Sequence, residues 1–484
     1  MGLSDAYKPF PIYTELGEEF YDEVKAAIFP QHILRYRNSF WSQKLGFGQL
    51  SDYEWGKYFG NFEPLPNNLD KPLSLRYHGH QFRYYNPDLG DGRGFLYAQI
   101  QDIENNRILD LGTKGSGQTP WSRNGDGKLT LKGGVRELLA TEMLEALGVY
   151  TSKTFSIIET GEQLYRNDEP SPTRSCVLVR LSHSHIRIGT FQRFAYLGET
   201  ENIKKLIQYT TKYYYPDLFD LDLEQQTKKL FQKIVENCAL LTASWMVVGF
   251  VHGVLNTDNI NIMGESFDYG PYRFLPYFDP DFVAAYFDHS GLYSYGRQPE
   301  AVYWNLARLA ETFIPLSNQQ ELENILISFS PLFVQAWRYL FFRRLGRKDF
   351  NNQQSNDLIE KTFSFLNQTK MPFEQFFFDW YGSHERYVKS PFCNLYQSDS
   401  FMDIKNLLHN HILTKTNVHS HDYFKNSICC SLVIEEIEKI WEAIDKKDDW
   451  SLLYNKIHDI HIMKKAYQFN PITNFDQISK DAIM

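Results

Sequence analysis

Cysteine is scarce in this chain: Cys176, Cys238, Cys393, Cys429 and Cys430 are the five among 484 residues. An odd number without CxxC spacing is not a disulfide framework, and a reducing, cytoplasmic setting is expected. Positive charge is also short, with 50 basic against 59 acidic residues and a net charge of -9. Phosphate backbones are held by clustered Lys and Arg, so nucleic acid is excluded as the main partner. No long uninterrupted apolar run occurs. The most apolar stretch, ALLTASWMVVGFVHGVL, carries Thr, Ser and His within fewer than about 20 residues and reads as a buried core helix, so no membrane partner is expected. The start, MGLSDAYKPF, lacks the charged end and apolar core of a secretory signal, and Ala6 stands where a myristoylation pattern wants Ser or Thr. Repeats of fixed period and Pro-rich or Gly/Ser-rich linkers are absent as well, which favours one continuous architecture.

What is present is enough apolar and aromatic residue, 43% and 16%, to fill a large core. Residues 1–75 mix short apolar runs with turns such as PLPNNLDKP and read as an irregular N-terminal extension. Residues 76–190 are strand-rich, with GFLYAQI, RILDLGTK, TFSIIET and CVLVRL, and one helix between them in GGVRELLATEMLEAL, stopped by Gly148. Residues 191–484 are mainly helical: Leu230, Ile234, Cys238, Leu241, Trp245 and Val248 fall at helical spacing and lead straight into HGVLNTDN, with further helices at VYWNLARLAETF and LVIEEIEKIWEAI. The expected class is α+β, a two-lobed protein-kinase-like fold with a strand-rich N-lobe and a large helical C-lobe. Beyond about residue 320 no motif carries chemistry.

The most specific motif is His252-Gly253-Val254-Leu255-Asn256-Thr257-Asp258-Asn259, followed nine residues later by Asp268-Tyr269-Gly270. A kinase catalytic loop reads H-R-D-x-x-x-x-N and is followed by D-F-G. Hard cations take oxygen ligands beside substrate phosphates, so Asn259 and Asp268 are the expected ligands of Mg²⁺ or Mn²⁺. Val254 occupies the base position and cannot accept a proton. Asp258 is the nearest carboxylate to replace it, or else it caps the turn through its neighbours' amides. Lys114 and Glu137 are spaced as a strand Lys and helix Glu that together orient phosphate, against the alternative of a surface Lys and a solvated Glu. Gly90, Gly92 and Arg93, in LGDGRG, permit close approach of backbone N–H groups to phosphate or form a plain turn. Asn124-Gly125-Asp126-Gly127 is a second such turn. Arg180 and Arg187 offer two guanidinium forks for a triphosphate tail, or ordinary salt bridges. His183 and His185 lack a ligand partner at metal spacing and read as structural.

LGDGR, LGTKGSGQTPWSRNGDGK, VRELLATEMLEALGV, VLVRLSHSHIRIG, HGVLNTDNINI and FDYGPY together resemble the selenoprotein O (YdiU) family over nearly the whole chain. The resemblance implies ATP bound in a flipped orientation and transfer of AMP to Ser, Thr or Tyr hydroxyls of protein substrates. It assigns nucleotide contacts to Gly90, Gly92, Arg93, Lys114, Asp126, Gly127, Arg180 and Arg187, with Asp268 both at the nucleotide and on the metal. Glu137 is paired with Lys114, Asn259 is a metal ligand and Asp258 is the base. Transfer of UMP, ordinary γ-phosphoryl transfer and a silent nucleotide-binding scaffold are the competing readings. Members of the family end in a tail with Cys or selenocysteine, whereas here no cysteine follows Cys430, so redox regulation through the tail is not expected.

Overall fold

The strand-rich part of the chain folds into an antiparallel sheet onto which helices from both ends of the sequence pack. The computed structural model describes residues 2–414 and 420–478. The strands are β1 (Tyr21–Glu23), β2 (Ile33–Arg37), β3 (Leu73–Leu75), β4 (Gly79–Gln81), β5 (Tyr84–Asn86), β6 (Leu96–Asp102), β7 (Arg107–Lys114), β8 (Leu129–Thr130), β9 (Lys153–Leu164), β10 (Thr173–Ser182), β11 (Phe250–Val251) and β12 (Arg273–Phe274). Eight of them form an antiparallel sheet in the order β1-β3-β6-β7-β10-β9-β2, with β8 added on β10. Residues 1–75 are therefore not an irregular cover. They supply β1 and β2, which close the two ends of the sheet, β3, and the helices α1 (Ser39–Lys44) and α2 (Asp52–Phe59). Trp41, Trp55 and Phe59 from these helices share a core with Phe155, Val177 and Val179. Short strands at wide spacing show no alternation long enough to read, so only the folded sheet reveals them.

α3 (Leu131–Ala146) lies on the other face. Its N-cap Thr130 side chain accepts from Gly133 N, and Gly148 follows its end at φ +81. Nearly every turn of α3 is buried, because Leu138, Leu139, Met143 and Leu144 are inside. The helices that follow are α4 (Ile188–Leu197), α5 (Thr200–Tyr214), α6 (Leu223–Val247), α7 (Gln298–Phe313), α8 (Gln319–Ile327), α9 (Phe329–Leu345), α10 (Gln353–Thr369), α11 (Phe373–Trp380), α12 (Asp399–Asn410), α13 (Ile434–Lys447) and α14 (Ser451–Tyr467). The expected helix through Leu230 and Trp245 is α6, but it does not run straight into the HGVLNTDN loop. It ends at Val247, the chain reverses at Gly249 (φ +66), and β11 pairs with β12 before the loop begins. β-branched Val247, Val248 and Val251 around a left-handed glycine favour that break.

One helical run among the described residues, Gln319–Leu345, is long and apolar enough to cross a membrane by length and composition, and 28% of its apolar 18-residue stretch is buried. It breaks at Ser328 into α8 and α9, and α9 packs along α6. All five cysteines are free, as their spacing predicts.

Candidate nucleotide-binding and catalytic site

Register places the first two cations. β10 runs antiparallel to β7 with Leu178 opposite Lys114 and Arg180 opposite Gly112. Side chains two apart on a strand share a face, so Lys114 and Arg180 point to the same side, the side covered by α3. Glu137 reaches down from α3, and Asp268 enters from the FDYG segment. Lys114 Nζ lies 2.6 Å from Glu137 Oε2 and 2.7 Å from Asp268 Oδ1. Arg180 Nη1 stands behind, 3.8 Å from Glu137 Oε1 and 3.7 Å from Asp268 Oδ1. Thus Lys114 and Glu137 are neither a surface Lys nor a solvated Glu. Their side chains are 5% and 2% exposed. Burial acts to raise the Asp268 carboxyl, yet Lys114, Arg180 and Arg93 outweigh it and hold the group well below the usual carboxylate range. Asp268 takes a left-handed backbone, φ +65, which aspartate tolerates better than most residues.

Arg187 enters at the N-terminus of α4. Its guanidinium lies over the Tyr77 ring at 4.2 Å and the Phe267 ring at 5.1 Å, and Nη1 donates to Asp258 O at 3.2 Å. Nη2 is 3.5 Å from Asp91 Oδ1. Neither arginine is saturated: Nε and Nη1 of Arg180 and Nε and Nη2 of Arg187 are buried without a hydrogen-bond partner. Each such donor costs about 1–3 kcal/mol unless an acceptor completes it. Such N–H groups suit anionic oxygens by type.

The loop that carries Asp258 is clamped at each turn. His252 Nε2 meets Phe267 O at 3.0 Å, and Asn305 Nδ2 donates to Leu255 O at 2.9 Å. The β4–β5 hairpin grips the middle: His80 N donates to Thr257 Oγ1 at 2.7 Å, and Phe82 N to Asn256 Oδ1 at 3.0 Å. Asn259 Nδ2 donates to Val254 O at 3.0 Å, which leaves its carbonyl oxygen as the open end. The Asp258 side chain caps none of its neighbours' amides. Its Oδ1 is buried without a partner, and burial, opposed by Arg187, raises the carboxyl to about 6. The oxygen ends of Asn259 and Asp268 suit a hard cation by type. Among the described residues no group of three or more His, Cys, Asp or Glu gathers as a metal site.

The glycine loop has a steric reason of its own. A Cβ at Gly90 would lie 2.4 Å from the Trp121 ring, and one at Gly92 would lie 2.6 Å from Trp121 O. Both glycines admit the segment at Trp121, whatever else approaches them. Arg93 is exposed and acts on Asp268 through its charge. Asp126 is outside the Lys114 cluster: its carboxylate pairs with Arg166, 2.9 Å from Nη1, and Gly127 packs on Gly117 in the same outer turn. His183 and His185 are structural, bonded to Tyr150 at 2.8 Å and to Asp110 at 3.1 Å. Sequence reasoning missed Asp91, Tyr77 and Arg123. Asp91 sits inside the quoted LGDGR motif, and Arg123 directly precedes NGDG and bears on Asp258. Tyr77 carries no motif and is placed only by folding.

Comparison with known proteins gives the family. The family model described as "Protein adenylyltransferase SelO" matches residues 5–461. A protein of Trichodesmium erythraeum named "Protein nucleotidyltransferase YdiU" is 40% identical over 468 residues, covering 93% of this chain and 98% of its own length. The proteins of the same name from Synechocystis sp. and Vibrio cholerae are 46% and 34% identical, covering 76% and 75% of this chain and 78% and 73% of their own lengths. A buried cation cluster beside an open carboxylate, in a chain of this relatedness, defines an enzyme of the nucleotidyltransferase class. The chain belongs to the SelO family.

Proposed function

We propose that this enzyme is a protein adenylyltransferase, moving AMP from ATP to Ser, Thr or Tyr hydroxyls of protein substrates in the cleft of a two-lobed, protein-kinase-like fold. The observation that carries the reading is the pair of buried, unsaturated guanidinium groups of Arg180 and Arg187, beside a loop with Val254 in place of a base and Asp258 open. Lys114, Arg180 and Arg187 hold the outer phosphates, and Arg93, Gly90, Gly92, Asp126 and Gly127 contact the rest of the nucleotide. Glu137 keeps Lys114 in place. Asn259 and Asp268 would hold Mg²⁺ or Mn²⁺, which when bound neutralises phosphate charge and polarises the phosphoryl oxygens.

Asp258 takes the proton of the acceptor hydroxyl as its oxygen forms a bond to the α-phosphorus. The bond from that phosphorus to the bridging oxygen breaks, and pyrophosphate leaves with the electron pair toward the arginines. A phosphodiester on the acceptor is the product. Donors preset where charge develops are worth about 10²–10³ in rate each. The relatives' names specify nucleotidyl transfer without naming the base, so UMP is the alternative cargo.

The test is incubation of the pure protein and a lysate with Mg²⁺ or Mn²⁺ and either α-labelled ATP, γ-labelled ATP or α-labelled UTP. Protein-bound label from α-labelled ATP alone is expected. Label from γ-labelled ATP makes the enzyme a kinase, and a dominant signal from UTP makes it a uridylyltransferase.

A further inference from the structure

α13 and α14, beyond the part of the sequence that bears motifs, do not stay with the helical half. They fold back onto α3, the helix that carries Glu137. Ile437, Ile440 and Ile444 of α13 and Leu453, Ile457, Ile460 and Met463 of α14 belong to one buried core with Val135, Leu138 and Leu139 of α3. Polar contacts run along the same line. Lys132 Nζ lies 2.7 Å from Glu438 Oε2, Glu142 Oε2 2.7 Å from His461 Nε2, and Glu145 Oε2 2.8 Å from Lys464 Nζ. The two contacts to α14 are one helical turn apart on each helix, so they fix both its position and its rotation.

Both ends of this pair are anchored elsewhere. At the turn, Asp448 accepts from Arg174 Nη2 at 2.8 Å, and the Trp450 ring lies under Arg35 at 4.6 Å, which ties it to β10 and β2. At the far end, Tyr381 OH donates to Tyr467 O at 3.3 Å, and Arg343 Nη2 donates to Asn470 O at 2.7 Å. α3 is also coupled to the segment after Asp268, because Arg136 Nη2 donates to Tyr272 O at 3.1 Å and Tyr272 OH donates to Arg136 O at 2.7 Å. A shift of α3 thus moves Glu137 and disturbs Asp268, the two carboxylates on Lys114.

We propose that α13 and α14 are an intramolecular clamp that holds α3 in the position required for Glu137 to orient Lys114. His461 and Lys464 are positioning residues in this arrangement, and the proposal rests on the reading of Lys114 and Glu137 as part of the nucleotide site.

The experiment uses the full chain with the double substitution His461→Ala and Lys464→Ala, and reads two quantities. Amide hydrogen exchange over residues 131–146 is expected to quicken, and the turnover number to fall about 10-fold or more with KM for ATP changed far less, since misplacement of catalytic groups acts on kcat. His461→Gln with Lys464→Arg, which keeps both donors, is expected to restore both. If the double alanine variant melts below the assay temperature, Glu438→Lys is read instead, with Lys132→Glu added to it as the exchanged pair. Wild-type exchange in α3, or quickened exchange with wild-type turnover, overturns the clamp. Absence of α-label transfer by the wild-type enzyme sinks the adenylyl reading instead, and the exchange data still decide the clamp.

Discussion

Replacing Lys114 by Met keeps most of the side-chain volume and removes the charge that joins two buried carboxylates. Lys114 Nζ is within 2.7 Å of both Glu137 and Asp268, while Arg180 stays at 3.7 Å or more from them. Breaking a buried pair by removing one partner costs about 3–5 kcal/mol, because the other charge remains without compensation. Arg180 has unused N–H groups on the spot and recovers part of this, so a net loss of about 2–4 kcal/mol is expected. For 484 residues the unfolding entropy is about 1 kcal/mol per degree, so Tm falls by only about 2–4 °C. Nucleotidyl transfer falls much further, by about 10²–10³, because the ammonium serves the phosphates directly. Calorimetry and incorporation of α-labelled nucleotide measure the two effects. Adding Glu137→Gln to Lys114→Met removes one of the two orphaned charges, leaving Asp268, and recovers part of the stability without recovering activity. Additive losses of stability in the double variant, or wild-type transfer by Lys114→Met, refute the reasoning.

Three further outcomes follow from the same geometry. Asp258→Asn keeps the loop's hydrogen bonds, since the Asp258 side chain makes none to its neighbours, so Tm stays near wild type while transfer drops at least about 10²; near wild-type transfer in a folded variant dismisses Asp258 as the base. Glu265, whose carboxylate accepts from His183 N at 2.9 Å, is pushed by burial up to about 7. Its folded-state value exceeds that of the unfolded chain, so its contribution is complete below about pH 4.5 and is lost as pH rises through about 7. Glu265→Gln should therefore raise stability at pH 8 by up to about 3 kcal/mol and leave it unchanged at pH 4.5, as denaturant melts at the two values will show. Gly90→Ala drives a methyl into the Trp121 ring, 2.4 Å away, and is expected to cost about 1–3 kcal/mol and to shift Trp121 fluorescence; an unchanged spectrum and melt contradict that packing.

Much of the site could be read before folding, because its chemistry is local in sequence. The HGVLNTDN loop keeps the spacing of its motif, and the alternation of RILDLGTK and CVLVRL predicts strands β7 and β10. Lys114 and Glu137 needed only a strand followed by a helix to be paired, and they are paired. Asp258 was open between base and cap in sequence, and in the fold its Oδ1 is buried without a hydrogen-bond partner. Asp126 illustrates what folding adds: its carboxylate pairs with Arg166, 40 residues away in the chain.

By itself the sequence determined the α+β class, the charge and residue types of the cleft, and the family. All of these depend on composition, short-range periodicity and residues within a few positions of one another. Tertiary structure alone decided that residues before 75 complete the sheet, that Gly90 and Gly92 answer to Trp121, and that α13 and α14 grip α3. The reason is that these depend on contacts between segments tens to hundreds of residues apart. An amphipathic helix announces that it has a face to bury, whereas the identity of the surface that buries it is settled only by the shape of everything else.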